Sequence, residues 1–200
     1  MIKRLVAIFF VLISTNVFSA EEPDHAIHEE LRGLLHGIEQ AINSEKYTDL
    51  EQYFDEKLRV TTINQEVILS RPQITAYFNK WFGPGGYLKK LQITLKPDAL
   101  TELYGDKSFG IVRGAGEEKY SLSDGRDFDM STRWTATVIK EPNGKWHILA
   151  LHIGTNFLDN PILSKAEASL MYVGVGGLLG GILLGGAGVF IFMRRKKTSV

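Results

Sequence analysis

The chain has 200 residues and a mass of 22.4 kDa, enough for one ordinary domain plus terminal segments but not for two comfortable cores. Its formal net charge is zero, yet Lys3, Arg4, Arg194, Arg195, Lys196 and Lys197 sit at the ends and every acidic residue lies between Glu21 and Glu167, so the middle is clearly acidic. Such a middle argues against nucleic-acid binding through a basic face. The absence of cysteine excludes disulfides, thiolate catalysis and Cys-ligated zinc.

Lys3-Arg4, the apolar run Leu5 to Ile13 and the small, polar stretch Ser14 to Ala20 form the three regions of a secretory signal peptide. Cleavage after Ser19 places Val17 and Ser19 at the specificity positions, so residues 1–19 are expected to be the leader and 20–160 the folded domain. An uncleaved N-terminal anchor is the alternative.

In the domain, Asp24 is placed to cap a helix whose apolar residues Ile27, Leu31, Leu34, Leu35, Ile38 and Ile42 recur at helical spacing. Gly33 and Gly37 inside it suggest a close neighbour. Tyr47 to Phe54 reads as a second short helix, and strands Leu58 to Ile63 and Glu66 to Leu69 flank the turn Asn64-Gln65. Pro72 opens a third helix with the stripe Ile74, Tyr77, Phe78, Trp81 and Phe82, which Gly83-Pro84-Gly85-Gly86 ends.

Only strands follow: Leu88 to Leu95, Ala99 to Tyr104, Ser108 to Tyr120, and a hairpin from Asp127 to Asn156 around Pro142-Asn143-Gly144. With Glu141 facing Lys145, strict alternation pairs Val138 with Ile148, Ala136 with Ala150, and Trp134 with His152 on one face. Phe109, Ile111 and Arg113 share a face of their strand, and the two apolar residues argue that it points inward. Arg113, Trp134 and His152 are therefore the candidate ligand-binding residues: a guanidinium fork and an imidazole beside an indole wall can hold a carboxylate or another small anion. The alternative is structural, with Arg113 in an ion pair and His152 hydrogen-bonded at a strand end.

Helices first and a curled antiparallel sheet afterwards make an α+β fold. That order, with Asn143-Gly144-Lys145-Trp146-His147-Ile148, Leu151-His152 and Asn156-Phe157, resembles the nuclear transport factor 2-like superfamily, in particular its SnoaL-like branch. The spacing from Gly144-Lys145-Trp146 to His152 is also similar to the association domain of calcium/calmodulin-dependent kinase II. The resemblance implies a cone-shaped sheet wrapped around the first helix, a pocket at the wide end, and a homodimer through the outer sheet face. The pocket arginines and terminal-strand histidine of the association domain carry over only to Arg113 and His152.

Ketosteroid isomerase, which shares the resembled fold, needs a carboxylate base in the first hairpin. Arg59-Val60-Thr61-Thr62 offers none at the inner positions, which disfavours that route. Asp127 and Asp129 read as a solvated strand end. His25, His28 and Glu29 lack metal-ligand spacing, so neither a metal nor a cofactor is expected, and no residue is assigned a catalytic role.

Residues 161–169 form a linker to an uncharged run, Leu170 to Met193, long enough at about 1.5 Å per residue to cross a hydrocarbon core of about 30 Å. The basic tail 194–200 then belongs in the cytoplasm and the domain outside it, at the cytoplasmic membrane. Gly176, Gly177, Gly180, Gly181 and Gly185 have the small-xxx-small spacing that lets two helices approach. A tail that serves as a sorting signal for a membrane protease is a second reading. Two functions fit: a membrane-tethered ligand-binding or dimeric assembly module, or a SnoaL-like enzyme using His152 for acid/base chemistry on a small molecule.

Overall fold

The computed structural model describes residues 24–197, so the leader expected over residues 1–19 and the last three residues lie outside the described residues. Helix α1 (His25–Asn43) is followed by a 3-10 helix (Tyr47–Tyr53), strands β1 (Phe54–Thr61) and β2 (Val67–Ile68), and helix α2 (Arg71–Phe82). Then come β3 (Leu88–Pro97), β4 (Glu102–Tyr104), β5 (Phe109–Leu122), β6 (Asp127–Lys140) and β7 (Trp146–Thr155), and finally helix α3 (Pro161–Lys197).

Asp24 stands immediately before α1 but does not cap it with its side chain. It has a left-handed backbone, its carbonyl accepts from the Ile27 and His28 amides, and its carboxylate pairs with Lys107. Of the two α1 glycines, Gly37 lies against the Tyr53 ring, where a Cβ would come within 2.5 Å of the hydroxyl, whereas Gly33 meets nothing.

The strands form one curved sheet in the order β2-β1-β7-β6-β5-β3, with β4 on β5. The sheet is mixed rather than antiparallel throughout, because the last strand, β7, fills the slot between β6 and β1 and runs parallel to β1. One face carries the helices. Leu31, Ile38 and Ile42 of α1, Ile74 and Phe78 of α2, and Val60, Leu91, Ile93, Val138 and Ile148 of the sheet form the buried core. Asn43 clamps the edge strand by donating to the Ile93 carbonyl at 2.8 Å and accepting from its amide at 2.7 Å, while Glu39 accepts from the Leu95 amide at 2.8 Å. These bonds satisfy backbone groups that a bare edge would expose.

The final hairpin closes as the sequence predicts: the Glu141 amide donates to the Lys145 carbonyl at 2.9 Å, and Gly144 adopts φ 81°. Its register does not keep strict alternation. Val138 pairs with Ile148 but Thr137 pairs with Ala150, so Leu149 is an extra residue in β7. Beyond this bulge every β7 side chain changes face, as a one-residue slip requires. Trp134 therefore stands opposite Ile153, and His152 stands opposite Thr135.

At the C-terminal end, Asn160 accepts from the amides of Ile162 and Leu163 and caps α3, so residues 161–169 connect as helix. Among the described residues α3 is the one helix long and apolar enough to cross a membrane, over Pro161–Ile191, and its apolar side chains are exposed.

Candidate functional site

The space between helices and sheet is hollow, a cavity of about 1200 Å³ lined by Leu31, Leu35 and Ile38 of α1, Tyr77 and Trp81 of α2, and the inner sheet face. Typical ligand pockets are about 300–1,000 Å³ and mostly apolar. Trp134, Ala136, Val138, Ile148, Leu151 and Ile153 build the sheet wall. Trp134 is buried, and its indole N–H donates to the Ala115 carbonyl at 3.0 Å.

Arg113 and His152 are not on that wall. Both are exposed on the outer face, in one row on either side of Thr135. His152 is turned out by the Leu149 bulge. Arg113 is turned out because Phe109 and Ile111, read as inward for being apolar, are 37% and 40% exposed on the outer face. The inner positions of β5 are instead Gly110, Val112, Gly114, Gly116, Glu118, Tyr120 and Leu122. Arg113 approaches Asp98, its Nε 3.7 Å from Oδ2, and Arg133 grips the same carboxylate with both terminal nitrogens. The Arg133 hydrogen bonds hold the Asp98 carboxyl below the usual carboxylate range.

The glycines on the inner face of β5 make room. A Cβ on Gly114 would fall 2.3 Å from the Trp134 ring and 2.4 Å from the Lys96 carbonyl, and one on Gly116 would fall 2.5 Å from Thr132 Oγ1. Past them, the same face carries Glu118 and Tyr120. Glu118 is 8% exposed; its Oε1 accepts from the Thr132 hydroxyl at 2.8 Å and its Oε2 from the Tyr120 hydroxyl. Burial raises the Glu118 carboxyl, outweighing the two hydrogen bonds that favour the anion. Burial and the neighbouring Glu118 push the Tyr120 phenol up as well. Tyr77 on α2 also lines the cavity and feels the Glu118 charge; its hydroxyl donates to Asn64 Oδ1 at 3.3 Å, and burial pushes its phenol up to about 12.

This cluster, unlike Arg113 and His152, faces the cavity from the sheet, and His28, Arg32, His36 and Glu39 line it from α1. The Tyr120 and Tyr77 hydroxyls already donate to Glu118 and to Asn64, so the cluster offers a ligand the proton of the neutral carboxyl and the phenol oxygens as acceptors, without burying charge. The sequence held a signal for it: Glu118 and Tyr120 share the two-residue period of Gly114 and Gly116, opposite in face to Arg113.

No family model matches the sequence, and no curated protein matches it significantly. Solved structures do. A nuclear transport factor 2-like superfamily protein from Salmonella enterica aligns over 65% of this chain and 91% of its own, with TM-score 0.54 and 17% identity. A protein from Novosphingobium aromaticivorans assigned as a scytalone dehydratase aligns over 66% and 85%, with TM-score 0.57 and 12% identity. A protein from Xanthomonas campestris assigned as a calcium/calmodulin dependent protein kinase II association domain aligns over 64% and 86%, with TM-score 0.54 and 20% identity. The likeness is one of fold: the domain has a nuclear transport factor 2-like α+β fold, its N-terminal helices lying on a curved mixed sheet.

Proposed function

We propose that the domain is a binding module for a small, uncharged, largely apolar molecule carrying one hydroxyl or carbonyl oxygen. The observation that carries this reading is the pairing of a largely apolar cavity of about 1200 Å³ with a buried polar pair on its sheet wall, Glu118 and Tyr120, backed by Thr132. An anionic ligand fits less well, because Arg113, the cation proposed for it, lies on the outer face, and Arg32, which does line the cavity, is paired with Glu29 at 3.1 Å. The α3 helix tethers the domain outside a cytoplasmic membrane, supported by its uncharged span and the basic residues after it. Two copies pair through the outer sheet face, where Tyr104 and Phe109 stack with centroids 5.4 Å apart and stay exposed beside Ile111.

The test uses the three tryptophans. In the full chain in detergent micelles, with Trp81→Phe and Trp146→Phe leaving Trp134 as the emitter, a bromine-tipped octanol should quench saturably. Tyr120→Phe should weaken that binding by roughly two- to tenfold, the worth of one hydrogen bond of about 0.5–1.5 kcal/mol. Quenching that does not saturate, or that ignores Tyr120→Phe, removes the reading. If the two background substitutions disturb folding, the difference between the natural chain and Trp134→Phe gives the same readout.

A second reading, an enzyme of the SnoaL-like kind, keeps one observation in its favour. A carboxyl raised by burial and placed in a cavity is suited to general acid chemistry, as a dehydration requires, and one structural neighbour is assigned as a dehydratase. In that reading Glu118 replaces His152, and Glu118→Gln abolishes turnover while leaving binding of the octanol probe within a few-fold.

A further inference from the structure

We infer that the cavity is loaded from the bilayer, and that its ligand is a membrane-dissolved single-chain amphiphile with one uncharged oxygen in its head group. The inference rests on the ligand-binding and tether readings above and adds the source and shape of the ligand.

Three observations carry it. The first is where the cavity meets α3. At one end its lining reaches half-exposed Tyr87 and Phe128, at the β3, β5 and β6 ends, and includes exposed Ile162 in the first turn of α3, whereas Arg32 and Leu100 line it elsewhere. Lys165 fixes that helix to this end, donating to the Asp127 carbonyl at 2.9 Å with its Nζ 4.0 Å from the Phe128 ring centroid. From Ile162 to Leu170, where the uncharged span begins, is about 12 Å along a helix. A tether that starts there holds this end of the cavity close to the membrane surface.

The second is the surface between this end and the span. Phe157 and Leu158 are 83% and 77% exposed, and Ile162 and Tyr87 are 59% and 52% exposed. Aromatic and aliphatic side chains in that position sit in the interfacial layer of a bilayer. They give an apolar chain a path from lipid to cavity that avoids water, which matters because every methylene that crosses water adds to the barrier.

The third is polarity along the cavity. Tyr120 pairs with Phe128 at this end, and Glu118 lies one inner position deeper. Beyond them the sheet wall is Trp134, Ala136, Val138 and Ile148, all buried and apolar apart from the indole N–H that Ala115 accepts. Along the sheet wall a ligand with its tail inward and its oxygen near Tyr120 matches this gradient, the polar side chains of α1 that line the cavity being His28, Arg32, His36 and Glu39, and it is the orientation in which a chain withdrawn tail-first from lipid arrives.

The experiment places the full chain, with Trp134 as emitter, in phosphatidylcholine vesicles. A bromine-tipped octadecanol dissolved beforehand in the bilayer should quench Trp134, and Phe157→Ser with Leu158→Ser should slow that quenching several-fold while leaving the octanol titration in micelles unchanged. Octanol binding in micelles without quenching from the bilayer-borne alcohol overturns membrane loading and leaves the binding module standing. Loss of the octanol signal as well removes the binding module itself. Equal quenching by phosphatidylcholine carrying brominated acyl chains overturns the single-chain class, and an unchanged rate in the double serine variant overturns the route.

Discussion

Glu118 shows how one side chain sets both the chemistry of the cavity and the stability of the domain. Its carboxyl lies above the ordinary glutamate value of 4.5 because burial penalises the anion more than Tyr120 and Thr132 stabilise it. The unfolded chain therefore gives up this proton first as pH rises. The stability that the neutral acid contributes is whole below the ordinary value and falls as pH climbs through the folded one. Glu118→Gln keeps an acceptor for the Tyr120 hydroxyl and cannot ionise. Urea unfolding of the full chain over a pH series should show wild-type stability declining from acid toward neutral pH, with a flatter profile for the variant. Parallel profiles would mean that Glu118 is solvated in the folded protein.

At the scale of the element, the β7 bulge decides which face the functional side chains occupy. Deleting Leu149 removes the extra residue and leaves Thr137 opposite Ala150, so Leu151 and Ile153 stay in the cavity wall and His152 stays outside. The cost is then the lost Leu149 contacts and the straightened strand, about 1–3 kcal/mol by urea unfolding of the full chain. A loss well beyond that would show that the bulge itself, and not the wall, holds the register. The same bulge explains what the sequence could and could not tell. The helices, the Pro142-Asn143-Gly144 turn and the succession of strands along the chain follow from local chemistry, since apolar spacing and turn residues report their own neighbourhood, but the parallel pairing of β7 with β1 does not. Trp134 also keeps its expected place on the inner wall. A bulge has no such local mark, so His152 is misplaced by one residue of slip. Arg113 is misplaced for a different reason: two apolar residues mark the outer face of β5, while the inner face holds glycines that contribute no hydrophobic signal. The cavity cluster becomes legible only when Gly114 and Gly116 are read as room for Trp134 and Thr132.

At the scale of the whole molecule, the proposed dimer would rest on two weak associations that strengthen each other. On α3, a Cβ added at Gly176, Gly177, Gly180, Gly181 or Gly185 would meet nothing within 4 Å, so their surface is open to a second helix. On the domain, the outer-face patch of Tyr104, Phe109 and Ile111 is small for a stable interface. If the helices pair in the membrane, each domain sees its partner at a high effective concentration, and even this small patch can be occupied. The natural chain has no cysteine, so a single introduced one reports the encounter cleanly. With Ile111→Cys in the full chain in vesicles, mild oxidation should give a crosslinked dimer, and adding Gly177→Leu with Gly181→Leu should lower its yield several-fold. An unchanged yield would mean that the sheet faces meet without the helices, and no crosslink in either chain would leave the outer face without a second copy.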